Sequence, residues 1–142
     1  MCETNCGECT CSGQKEDDYN IIDSYNVKLV ENGLTLNEYQ EKTKSTAIYP
    51  NVGNNIYYPT LGLCGESGEV AEKVKKLMRD HGGILTDEYK AKIAKELGDA
   101  LWYIAMTAYE IGYTLEDVGK GNNEKLASRK DRNMIQGNGD DR

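Results

Sequence analysis

Four acidic residues of the chain are spaced for metal chemistry: Glu66 and Glu69, then 26 residues, then Glu96 and Asp99. Residues three apart are neighbours on a helix surface. At about 100° per residue, Leu63, Val70, Val74 and Leu77 form one apolar stripe, with Glu66 at its edge and Glu69 flanking it. Ile93, Leu97, Ala100, Leu101, Ile104, Ala108 and Ile111 form the main apolar face of a later segment, with Glu96 at its edge and Asp99 one turn on. The pattern therefore turns carboxylates toward a core, where charge is expensive to bury. Four such acids on two neighbouring helices repel each other unless a cation lies between them. All-oxygen ligands suit a hard ion, Mg²⁺ or Mn²⁺, better than zinc or iron. The bland alternative is a set of partly exposed acids paired with Lys73, Lys76 and Lys95. A di-iron bundle would need Glu-x-x-His on two helices, and the single histidine, His81, falls at a helix end.

Helices must position these acids, and their signals are strong. Thr35 followed by Glu38 predicts a capping box and a first helix to about Ala47. Pro50 to Asn55 is loop chemistry, and Pro59 suits the first turn of a second helix that ends near Asp80 before His81-Gly82-Gly83. Thr86, with Asp87 and Glu88 after it, starts a third helix reaching Ile111, with Gly112 as its stop. Thr114 starts a fourth, expected to break near Gly119–Gly121 and resume toward Arg129. The class is all-α, a four-helix bundle-like fold with short loops. The third helix is apolar almost all round from Ala100 to Tyr109, which implies burial on several sides.

The chain has 142 residues and a net charge of −7. Its length suits one domain. The acidic balance argues against a nucleic acid polymer or an anionic membrane surface as partner. No stretch is long and apolar enough to span a bilayer. With no signal-like N-terminus, the expected compartment is the cytoplasm. Three regions are expected: a Cys-rich tail and arm over 1–33, a helical domain over 34–132 and a tail over 133–142. Cys2, Cys6, Cys9 and Cys11 lie in a segment too poor in apolar side chains to fold, expected to be disordered. They leave open a soft-metal site, reversible thiol chemistry or a plain tail. Cys64 is expected to be a small core residue. The last 23 residues carry six bases against four acids, the one basic stretch of the chain.

Gly65-Glu66-Ser67-Gly68-Glu69, followed at a distance by Glu96-Leu97-Gly98-Asp99-Ala100-Leu101-Trp102-Tyr103, resembles the MazG-type all-α nucleoside triphosphate pyrophosphohydrolases. Asn122-Asn123-Glu124-Lys125-Leu126 with Arg129, and the ending Gly137 to Arg142, belong to the same likeness, which runs from about Leu36 onward. Gly65 stands where the first Glu of the family's EExxE box would be. The resemblance implies Mg²⁺-dependent hydrolysis of (deoxy)nucleoside triphosphates to monophosphate and pyrophosphate. Glu66, Glu69, Glu96 and Asp99 would hold the metal, one of them also taking a proton from water. Phosphate needs cations. Lys73, one turn past Glu69, and Lys125 with Arg129 are the candidates, each also readable as a solvated helix face. Tyr103 and Asn122 resemble family positions near the nucleotide, while Tyr103 and Trp102 could equally pack a core or a subunit interface. The resemblance also implies a homodimer or homotetramer. Two rival readings remain: a catalytically silent helical oligomer that recruits a partner, and an enzyme restricted to one base, such as dUTP or dCTP, or to an alarmone.

Overall fold

The computed structural model describes residues 33–137 and 139. The N-terminal segment with Cys2, Cys6, Cys9 and Cys11 lies outside them. Among the described residues there are four α-helices and no strand: α1 (Leu36–Lys44), α2 (Tyr57–His81), α3 (Asp87–Glu110) and α4 (Leu115–Asp131).

The helix starts are chemically local. Thr35 and Glu38 form a reciprocal capping box, with Glu38 N donating to Thr35 Oγ1 at 3.2 Å and Thr35 N donating to Glu38 Oε2 at 2.8 Å. Thr86 and Thr114 cap α3 and α4 by accepting from Tyr89 N and Asp117 N. Ile56, at the start of α2, has no capping oxygen, but Asn55 Oδ1 accepts from Tyr58 N at 3.2 Å. Helix α2 stops at Gly82 (φ 58°) and Gly83 (φ 77°), and Gly83 N returns to Leu77 O. These are left-handed positions where a Cβ is disfavoured.

Two boundaries differ from expectation. Helix α1 ends at Lys44 rather than Ala47, because Ser45 and Thr46 turn their hydroxyls back onto Lys42 O and Thr43 O. Helix α4 is continuous through Gly119–Gly121, where a break was expected. Each helical glycine costs about 1 kcal/mol relative to alanine. The Thr114 cap, the acids of the first turn and Arg129 and Lys130 in the last turn offset this. Gly119 also serves packing: a Cβ there would lie 3.3 Å from Leu36 Cδ1.

Helices α2 and α3 form the principal pair; α1 packs on α3 and α4, and α4 on α3. Ala100, Ala105, Met106 and Ala108 of α3 are buried, as are Tyr89 near its start, Leu77 of α2, Leu115 of α4 and Tyr49. Buried Gln40 joins three segments. Its amide donates to Ala105 O and Tyr113 O, both at 3.1 Å, and its oxygen accepts from Leu115 N at 2.9 Å. A buried amide with all these bonds made fixes register as well as volume. The apolar face expected on α3 divides within the single chain. Ala100 and Ala108 are buried, whereas Leu97, Leu101, Ile104 and Ile111 each keep more than a third of their surface exposed. On α2, Leu77 is buried, Leu63 and Val70 are half-buried, and Val74 is exposed. Cys64, expected in the core, is exposed. No helix among the described residues is long and apolar enough to cross a membrane.

Candidate metal centre

The α2–α3 pair brings Glu66, Glu96 and Asp99 together. One carboxylate oxygen from each lies within 4.8 Å of the others. Glu66 and Glu96 are half-buried and Asp99 is exposed, so the group sits at the rim of the helix interface. Burial pushes the Glu66 carboxyl above its ordinary value, and the charges of Asp99, Glu69 and Glu96 push it the same way. Repulsion among acids at one spot is what a cation relieves. The donors are all hard oxygens, which fits a hard divalent ion. His81, the only histidine, is elsewhere, at the C-terminal end of α2 against the Tyr89 ring.

Glu69 is exposed and is not one of the three converging acids, though its charge reaches both Glu66 and Lys73. Lys73 Nζ lies 2.8 Å from Glu96 Oε1. That hydrogen bond holds the ammonium above its ordinary value and, with it, fixes one oxygen of Glu96. The predicted pairing of these acids with Lys73 is thus present at Glu96 alongside the three-acid cluster; Lys76 pairs with Glu72 instead.

An open cleft of about 280 Å³ adjoins the acids, lined by Thr46, Glu66, Asp99, Trp102 and Tyr103. Its aromatic wall extends beyond the cleft. Trp102 meets Tyr103 edge-on at 4.9 Å and Tyr49 at 6.3 Å, and Tyr49 stacks on Tyr58 at 4.7 Å. Trp102 Nε1 donates to Thr46 Oγ1 at 2.8 Å, which pins the indole. Burial raises the Tyr103 phenol, with Tyr58, Glu66 and Asp99 adding to it.

The remaining predicted residues lie on α4. Asn122 and Lys125 are exposed there. Arg129 is buried, and its Nη2 donates to Gly139 O at 3.1 Å, so this guanidinium holds the chain that follows the helix. Sequence reading missed three features: Thr46 in the cleft, Gly62 beneath the Tyr103 ring, and a clasp at the far end of α3. There Glu110 accepts from the Tyr49 hydroxyl, from Gly53 N at 2.9 Å and from Asn55 N at 2.7 Å. The clasp ties the loop before α2 to the end of α3.

Residues 59–134 match the family model of the MazG nucleotide pyrophosphohydrolase domain, a span that contains all four acids. The chain is 46% identical over 109 residues to the Gene 37 protein of Mycobacterium phage L5, covering 73% of this chain and 96% of that protein. No solved structure matches the chain.

Proposed function

The chain belongs to the MazG nucleotide pyrophosphohydrolase family, and from that premise we propose that it hydrolyses (deoxy)nucleoside triphosphates to the monophosphate and pyrophosphate. The observation that carries the reading is the convergence of Glu66, Glu96 and Asp99 beside an aromatic cleft. These three residues would hold Mg²⁺, for which Mn²⁺ could substitute, and Glu69, exposed one turn along α2, would join them once the ion is bound. When bound, the ion neutralises phosphate charge and lowers the pKa of water. The protein's own part is to hold and orient. Water adds across the anhydride between the α- and β-phosphates, its proton passes to a glutamate carboxylate, and pyrophosphate leaves with the bridging oxygen. Lys73 pairs with Glu96 and offers positive charge at the edge of the site. Tyr103 walls the nucleoside end of the cleft. Asn122, Lys125 and Arg129 belong to the substrate side through α4, with Arg129 acting by ordering the segment after that helix. The exposed apolar face of α3 is the surface on which two copies assemble into a homodimer or, doubled, a homotetramer. The reaction is placed in the cytoplasm, where nucleotide pools are.

A product assay tests the reading. The full chain is incubated with Mg²⁺ and each common ribo- and deoxyribonucleoside triphosphate plus dUTP, and the products are resolved. Monophosphate with pyrophosphate is expected, abolished by chelation and by Glu69→Gln with helical content intact. Release of single phosphates, or turnover that survives chelation, overturns it.

A further inference from the structure

Gly62 stands apart from the other glycines inside the helices. A Cβ built on Gly65, Gly68, Gly98 or Gly121 meets nothing within 4 Å. A Cβ on Gly62 would lie 2.1 Å from Tyr103 Cε1, 2.4 Å from Cζ and 2.6 Å from Cδ1. The Tyr103 ring therefore rests directly on the backbone of α2. The contact is with the body of an aromatic ring, which moves only as a whole. Its place in the helix register matters. Gly62 is one turn before Glu66 on α2, and Tyr103 is one turn after Asp99 on α3. The ring-on-backbone contact is thus the next layer of the helix pair beyond the layer where the carboxylates meet. Tyr103, Glu66 and Asp99 line the same cleft.

We propose that Gly62 is a positioning residue for substrate: by lacking a side chain it lets Tyr103 lie flat against α2, and so sets the width of the cleft that takes the nucleoside beside the acids. The inference rests on the pyrophosphohydrolase reading. Without the space at Gly62, the ring must swing away from α2, and the outward path leads into the cleft. The carboxylates would keep their positions, because they sit one turn away on the same helices. The effect falls on nucleoside binding and spares the cation. An aromatic face is suited to that end of the substrate, since every base offers a π-face for stacking.

The experiment uses the full chain, with Gly62→Ala, Tyr103→Ala and the double variant. Trp102 is the only tryptophan and touches the Tyr103 ring, so its fluorescence reports ring position without nucleotide. Gly62→Ala should shift Trp102 emission and leave Mn²⁺ binding, read by electron paramagnetic resonance without nucleotide, within about twofold. KM should rise about tenfold or more, the scale of one misplaced methylene in a substrate pocket, with kcat within a few-fold. Adding Gly62→Ala to Tyr103→Ala should change neither constant further, because the ring is gone. An unchanged KM in Gly62→Ala overturns the proposal. So does a further loss in the double variant over Tyr103→Ala, a comparison that stands even if Gly62→Ala alone folds poorly. If the wild-type chain turns over no nucleoside triphosphate, the pyrophosphohydrolase reading fails and takes this one with it. Wild-type turnover that Gly62→Ala leaves intact sinks this proposal alone.

Discussion

Glu66 on α2 and Glu110 at the end of α3 are both half-buried glutamates, and they meet opposite surroundings. Burial pushes each upward. At Glu110 the donors Tyr49, Asn55 and Gly53 outweigh it and hold the carboxyl below its ordinary value. At Glu66 burial is joined by three like charges, and the carboxyl stays above its ordinary value. One carboxylate is an anchor whose negative charge the fold has already matched. The other sits among like charges at the rim of a cleft, and a carboxylate whose charge is disfavoured there points to function. The same contrast separates Gln40, whose amide is fully bonded across three segments, from the acids of the cleft.

The contrast can be broken by three measurements. The largest effect belongs to Glu66→Gln. Turnover should fall about 100-fold or more, the scale of losing a positioned acid–base group, and Mn²⁺ binding should weaken with it. Stability in metal-free buffer should hold or rise, because repulsion with Asp99, Glu69 and Glu96 is relieved. If Glu66→Gln instead unfolds the chain more easily in urea, Glu66 is an anchor too and the comparison fails. Glu110→Gln should do the reverse. It should cost roughly 1.5–3 kcal/mol in urea unfolding, the range for hydrogen bonds to a charged group, while Mn²⁺ still binds the folded protein. Loss of Mn²⁺ binding at unchanged stability would place Glu110 in the site.

The smallest effect is in pH. The ordinary value for this carboxyl is 4.5, and in the folded chain Glu110 titrates below it. Its contribution to stability is therefore complete above about pH 4.5 and lost as pH falls through the lower folded value. Between the two values the wild type should lose stability more steeply than Glu110→Gln. Parallel pH curves for the two proteins would show that the clasp carries no linkage.

What the sequence made legible was local. Thr35, Thr86 and Thr114 each cap within three residues, so their bonds could be read from spacing. The acids were legible because their spacing turns them to the edge of apolar stripes, and Glu66, Glu96 and Asp99 do meet. Glu69, flanking its stripe, is exposed and lies outside that group of three. The features missed depend on partners far along the chain. Glu110 meets residues 55 to 61 positions away, and Gln40 reaches across 65 to 75. Gly62 looked like any helical glycine until Tyr103 was laid across it. The break expected in α4 went wrong for a related reason. Glycine propensity is a weak local prior, and capping at both ends with contact to Leu36 prevails over it.

The three converging acids all belong to one hairpin, α2 and α3, whose turn is only Gly82 to Thr86. That has a consequence for how the molecule is made. Closing so short a connection costs little chain entropy, and contacts between neighbouring helices form early on a folding path. The acids thus come within reach of one another before the long-range ties of Gln40 and Glu110 must close. During synthesis the hairpin leaves the ribosome ahead of α4, so the set of ligands can assemble while the rest of the domain is still being built.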